Sequence, residues 1–112
     1  MRMPGKVLVI IATGEKEKAA TGLLYAGNAL KYNWLEDLKV FLFGPAEKLL
    51  ANDPELQDLM ALVVKYQAPV ACKDISDKLD ISPTLEGLGY KVDYIGSLVS
   101  GYIGEGYVPM VF

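Results

Sequence analysis

The sequence predicts a single α/β domain, residues 1–112, in which a five-stranded, mainly parallel sheet lies between two layers of helices. Short apolar segments rich in Val and Ile alternate with amphipathic helical segments along the chain. Such alternation requires right-handed crossovers and a mostly parallel sheet. A length of 112 residues allows one core, and a composition of 52% hydrophobic and 22% charged residues is ordinary for a folded domain.

The first strand and helix are predicted before residue 32. The segment Lys6–Ala12, KVLVIIA, is almost continuously apolar, as in a central parallel strand that is covered on both faces. After the polar TGEKEK, residues 17–31 carry apolar side chains at three- and four-residue steps, which predicts an amphipathic helix. The apolar positions are Ala20, Leu23, Leu24, Gly27 and Leu30.

A second strand and one or two helical pieces are predicted next. The strand LKVFLFG, Leu38–Gly44, ends at the Gly44-Pro45 pair. Before the second helical piece, Asp53 has the residue type of an N-cap, and Pro54 stands at the first helical position, where a missing N–H costs nothing.

Three further strands complete the predicted sheet. APVAC at 68–72 and YKVDYIG at 90–96 are predicted as strands, and YVPMVF at 107–112 as an edge strand, because Pro109 cannot donate to a central ladder. Between them, DISDKL is predicted as a helical turn capped by Asp74, SLVSGYIGEG as a short helix or irregular segment, and its GYIGEG end as a tight turn or loop.

The amino-acid composition excludes several classes of function. The net charge is −3 and no basic patch is visible, so nucleic acid is not an expected partner. The chain has no histidine, which excludes Ser-His-Asp and Cys-His catalysis within one chain and the commonest zinc sites. A single cysteine fits a reducing, cytoplasmic setting, and the short run VLVIIA is too brief for a signal peptide or a membrane span.

The glycine-rich and acidic motifs do not fit known cofactor sites. In GEKEKAATG the residue five positions after Gly14 is Ala19, not the second glycine of a phosphate loop. GYIGEG has the wrong spacing for a dinucleotide fingerprint. The acidic pairs at 53/55 and 74/77 have the positions of cap and surface residues. No cofactor and no metal are therefore expected.

Cys72 is the candidate functional residue. It ends the third predicted strand, beside Lys73 and just before a helical turn, where ligands bind in parallel sheets and where a thiolate is favoured. A free cysteine is also one of the most frequently buried residues, so the residues alone leave a nucleophile and a core residue equally open. Topology places these loop residues around it as binding candidates: Thr13, Gly14, Gly44, Pro45, Lys73, Asp74, Gly96 and Ser97.

Several segments together resemble the DsrE/DsrF-like family of small sulfur-metabolism proteins. KVLVIIATG leading into AATGLLYAGNAL is similar to the opening unit of that family. LKVFLFGPAEKLL, with its Phe-Gly-Pro turn, and the closing segment LEGLGYKVDYIGSLVSGYIGEGYVPMVF also look like members of it. Cys72 stands where many members carry a cysteine. The resemblance covers nearly the whole chain.

This resemblance implies a three-layer α/β/α domain that assembles into homotrimers or hexamers, or into hetero-hexamers in the relay branch. It implies that Cys72 accepts sulfur as a persulfide and passes it to a sulfur-carrier protein or a small thiol. The charged run KDISDKLD after the cysteine departs from the alanine-rich helix of relay members. The alternative is a non-catalytic oligomeric module that binds a small ligand or a protein partner, with Cys72 in the core.

Aromatic residues near the end of the first helix bear on assembly. Tyr25, Tyr32 and Trp34 lie off its apolar stripe, and aromatic side chains outside the core can mark a protein contact. The alternative is that Trp34 covers the helix end. Together with the resemblance, these residues predict a homo-oligomer.

Overall fold

A computed structural model describes residues 3–112 of the protein. Its sheet has five strands in the order β4-β3-β2-β1-β5, and all of its strand pairings are parallel. The prediction of a five-stranded, mainly parallel sheet is therefore confirmed. The strands are β1 (Met3–Ile11), β2 (Leu35–Leu42), β3 (Val70–Cys72), β4 (Lys91–Asp93) and β5 (Val108–Val111).

Six helices occur among the described residues, and each crossover between consecutive strands contains at least one. They are α1 (Lys16–Lys31), α2 (Pro45–Asn52), α3 (Pro54–Val64), α4 (Lys73–Lys78), α5 (Ser82–Gly87) and α6 (Ile95–Gly104). The predicted start of α3 is confirmed. Pro54 begins the helix, and the Asp53 carboxylate accepts hydrogen bonds from the amides of Glu55 at 3.0 Å and Leu56 at 3.1 Å.

Side chains that alternate along β1 enter two separate cores. Val9 and Ile11 belong to the larger core, to which α1, α2, α3 and α5 contribute. Leu8 belongs to a smaller core under α6, with Phe41, Cys72 and Ile95. Both faces of β1 are therefore covered, which is the reason that its sequence is almost continuously apolar.

The strand order reverses between β1 and β5, and the crevice at this switch point is filled. Phe112 accepts hydrogen bonds through its carbonyl from the amides of Ala12 at 2.7 Å and Thr13 at 3.1 Å. Its ring packs on α1, where a β-carbon added to Gly22 would lie 2.8 Å from Phe112 Cγ. Parallel sheets often bind ligands at such a crevice, but here an aromatic side chain occupies it.

Three sequence predictions of local structure are wrong. Leu24 is 55% exposed, because α1 packs through small residues at 19, 22 and 26 instead. Asp74 does not cap α4, since that helix begins one residue earlier and has Cys72 at its N-cap. The GYIGEG segment is not a loop throughout, because α6 continues to Gly104 before it turns at Gly106. Tertiary contacts override the low helix propensity of glycine there.

Candidate functional site

An open groove of about 740 Å³ lies at the carboxyl end of the sheet. This volume is in the usual range for small-molecule sites. The loops after β1 and β2 meet helices α2 and α4 there. The lining residues are Gly14, Gly44, Pro45, Lys48, Leu49, Asn52, Ile75, Lys78 and Leu79.

Three of the predicted site residues, Gly14, Gly44 and Pro45, come together in this groove. Gly44 has φ +77° and ψ −143°, a positive-φ conformation that favours glycine, where the chain turns from β2 into α2. A β-carbon added to Gly14 would lie 3.1 Å from Pro45 Cβ. A larger residue at position 14 would therefore require Pro45 to move by a few tenths of an ångström.

The lining residues that belong to helices come from one face of each helix. Along α2, Pro45, Lys48, Leu49 and Asn52 have the spacing i, i+3, i+4 and i+7. On and just beyond α4, Ile75, Lys78 and Leu79 have the spacing i, i+3 and i+4. Sequence reasoning predicted Pro45 and missed the others. The signal that could have found them is a helix face that mixes exposed apolar residues with lysines (Leu79 is 43% exposed).

Cys72 does not line the groove. It lies at the carboxyl end of β3, as predicted, but its side chain packs in the smaller core under α6 and is only 8% exposed. In the parallel register, Phe41 pairs with Val70 and Cys72 pairs with Asp93. This register turns Cys72 toward α6, whereas the groove is built on α2 and α4.

The remaining predicted residues are spread over separate places. The Thr13 hydroxyl accepts a hydrogen bond from the Glu15 amide at 3.0 Å. Gly96 and Ser97 lie in the first turn of α6 rather than in a loop, because β4 ends at Asp93. Ser97 borders a separate shallow depression of about 210 Å³.

Lys73 and Asp74 belong to α4, and a hydrogen-bonded network ties this helix to α5. The Ser82 hydroxyl donates to Asp77 at 2.5 Å and lies 2.6 Å from the hydroxyl of the buried Ser76. Lys73 Nζ donates to the other carboxylate oxygen of Asp77 at 2.9 Å. The Ser82 hydrogen bond, followed by the Lys73 contact, lowers the pKa of the Asp77 carboxyl. The network positions the helix that supplies Ile75, Lys78 and Leu79 to the groove.

Glu47 is a buried carboxyl group that sequence reasoning missed. It stands in the first turn of α2 with no exposed surface, and neither carboxyl oxygen has a hydrogen-bond partner of good geometry among residues 3–112. Burial raises its pKa to about 7, although the nearby amides of Gly44 and Cys72 favour the ionised form. In sequence, a glutamate in a first helical turn resembles an ordinary solvated residue.

Two other kinds of site do not occur in the part of the chain that the structure describes. No three His, Cys, Asp or Glu side chains lie close enough together there to hold a metal ion. Likewise, no helix within residues 3–112 has the length and apolar character needed to cross a lipid bilayer.

Comparison with known proteins identifies the fold. No family model matches the sequence, and no curated protein matches it either. A solved structure of a conserved protein of unknown function from Bacteroides thetaiotaomicron is similar in fold, with a TM-score of 0.83 at 23% sequence identity. The similarity covers 96% of this chain and 95% of the other. The three-layer α/β architecture is therefore shared with a protein of another sequence.

Proposed function

We propose that this protein is a non-catalytic module that binds a small, largely apolar ligand in the groove between α2 and α4. The observation that carries the proposal is the groove itself, which lies where the loops of a parallel sheet converge and has the volume of a small-molecule site. Leu49, Ile75 and Leu79 supply its apolar surface. Binding at this place does not require Cys72.

The groove is built on elements that are held in place without a ligand. The loops after β1 and β2 lie close together at Gly14 and Pro45, and the Ala46 amide donates to the Ala12 carbonyl at 3.3 Å. The bonds among Ser76, Ser82 and Asp77 hold α4 against α5. Such preorganisation supports binding, since little conformational entropy is lost when a ligand enters.

A neutral fluorescent probe tests the binding function. We expect N-phenyl-naphthylamine, an uncharged apolar fluorophore, to bind the protein and increase in emission. Leu79→Asp places a charge on the groove wall and should abolish this increase. Leu24→Asp is the matched control, because Leu24 is 55% exposed on α1 and lies outside the groove. No binding by the parent protein, or equal binding by both variants, contradicts the proposal.

Sulfur carriage by Cys72 is the second candidate, and one observation favours it. Cys72 is the N-cap of α4, and Asp93, its partner in β4, directly precedes the N-cap of α6. The N-termini of two helices therefore lie beside the cysteine. The Cys72 thiolate would attack the outer sulfur of a donor persulfide. The new sulfur–sulfur bond forms as the donor bond breaks, and the electron pair leaves with the donor thiolate.

Mass spectrometry after incubation with a low-molecular-weight persulfide tests this second candidate. Sulfur carriage requires the parent protein to gain one sulfur atom under native conditions and Cys72→Ser to gain none. A parent protein that stays unmodified until it is unfolded contradicts sulfur carriage and fits the 8% exposure of a core residue. That result does not contradict ligand binding in the groove.

We also propose that the protein is a cytoplasmic homo-oligomer, a trimer or a hexamer. Tyr32 and Trp34 are 57% and 42% exposed, and their ring centroids lie 6.0 Å apart in a stacked arrangement. The ring centroid of Tyr25 lies 6.1 Å from that of Trp34. Exposed aromatic clusters of this kind are common at protein interfaces.

A further inference from the structure

We propose that the ligand of the groove is an amphipathic anion, an apolar molecule with a single carboxylate-like head group, and that Lys48 and Lys78 bind this head group. The inference rests on the proposed binding function of the groove and adds the chemical class of the ligand. Lys48 lies on α2 and Lys78 on α4, so the two ammonium groups come from opposite walls.

The charge of the lining residues favours an anion. Lys48 and Lys78 are the charged residues of the lining, and no carboxylate is among them. Within residues 3–112, the lysines that form ion pairs are Lys16, Lys39 and Lys73. Both groove lysines are thus without a carboxylate partner in this part of the chain. A cationic ligand would meet two like charges there.

The backbone at the groove argues against a phosphate or a nucleotide. The first turn of α2 has no free amide to offer, because Pro45 has none, Ala46 donates to the Ala12 carbonyl at 3.3 Å and Glu47 donates to the Gly44 carbonyl at 3.0 Å. Phosphate sites at helix N-termini depend on such amides. We therefore assign the recognition of charge to the lysine side chains.

The rest of the lining requires an apolar body behind the head group. Leu49, Ile75 and Leu79 offer hydrocarbon surface. The charges of a polyanion would lose their hydration water against this surface and gain no polar partner in return. A single head group can instead stay near the flexible ammonium groups, while the hydrocarbon part covers the apolar wall. A medium-chain or aromatic monocarboxylate satisfies both conditions.

Competition between matched compounds tests the charge of the ligand. Decanoate and decanol share one hydrocarbon chain and differ in the head group. Each is used below its micellar or solubility limit to displace N-phenyl-naphthylamine from the parent protein, Lys48→Gln, Lys78→Gln and the double variant. Lys65→Gln is the control, because it removes the same charge from an exposed position outside the groove.

We expect decanoate to bind more tightly than decanol to the parent protein and to weaken as salt is added. Decanoate affinity should fall about 3-fold in each single variant and about 10-fold in the double variant. Decanol affinity should stay unchanged in all of them, and Lys65→Gln should bind both compounds like the parent.

Two other results would overturn the inference. Equal displacement by decanol and decanoate, insensitive to the lysines, disproves the anionic ligand while the groove remains a binding site. If neither compound nor the probe binds, and Leu79→Asp reduces the sedimenting mass, then the groove is a contact between two copies of the chain. In that case the proposed binding function fails as well.

Discussion

Gly14 and Pro45 hold the loops after β1 and β2 in direct contact, since a β-carbon at position 14 would lie 3.1 Å from Pro45 Cβ. Both residues line the groove. The contact joins a loop before α1 to the first residue of α2. A change at this point should therefore affect the shape of the groove as well as the stability of the fold.

Gly14→Val should destabilise the protein and weaken probe binding. The added methyl groups must displace Pro45, and overpacking of this kind costs about 1–3 kcal/mol. Urea denaturation and N-phenyl-naphthylamine titration measure the two effects. Gly101→Ala is the control, because nothing lies within 4 Å of its added β-carbon. It should stabilise α6 by about 0.5–1 kcal/mol. An unchanged urea midpoint in Gly14→Val would show that the two loops separate freely.

Asp77→Asn should lower both stability and probe affinity, because α4 loses its charged connection to Ser82 and Lys73. Because the pKa of the Asp77 carboxyl is lowered in the folded protein, the direction in which stability changes with pH can be predicted. A carboxyl whose pKa is depressed by folding stabilises the native state above its unfolded pKa, and this contribution disappears as the pH falls through the folded value. The unfolding midpoint should therefore change less in Asp77→Asn than in the parent protein as the pH is lowered.

Asp74→Asn is the matched control for Asp77→Asn. Asp74 lies on the same helix but is exposed, and it makes no side-chain hydrogen bond among the described residues. Its probe affinity should be that of the parent protein. Equal probe affinities in the two variants would mean that the network does not hold α4 in place.

Much of the fold could be predicted because its signals are local. Apolar runs mark the strands, Pro109 marks an edge strand, and Asp53 with Pro54 marks the start of α3. The exposure of Leu24 could not be predicted. Which face of an amphipathic helix turns inward depends on how closely small residues such as Ala26 let it approach the sheet.

The site depends on contacts between elements that are distant in sequence. A three-residue strand such as β3 is too short for alternation to fix its faces, so the direction of Cys72 follows from its register with β2 and β4. The groove arises where α2 and α4 come together, and the burial of Glu47 comes from packing beneath α2. No local sequence pattern predicts any of these relationships.

Trp34→Ala should convert the proposed oligomer to smaller species. Trp34 stacks on Tyr32 and stands 42% exposed, so its removal deletes the centre of the aromatic cluster. Sedimentation velocity measures the change in mass. Tyr66→Ala is the control, because Tyr66 is a similarly exposed aromatic residue, at 47%, outside that cluster. A parent protein that sediments as a monomer at micromolar concentration contradicts the proposed assembly.

The buried Glu47 should make the protein more stable in mild acid than in mild base. Burial raises its pKa from the usual 4.5 to about 7. Between these two values the folded state binds more protons than the unfolded state, so the free energy of unfolding falls as the pH rises. Above about 7 the ionised carboxylate is present in both states, and this contribution becomes constant. The total loss is on the order of 2–4 kcal/mol.

Urea denaturation at about pH 5 and about pH 8 measures this loss across the range of Glu47 titration. Glu47→Gln stays neutral at every pH, so its free energy of unfolding should lack the decline and should exceed that of the parent in base. The control is Glu36→Gln, which removes a carboxyl group from an exposed position on β2 and should keep the decline of the parent. If Glu47→Gln declines as steeply as the parent, the buried carboxyl is not the titrating group.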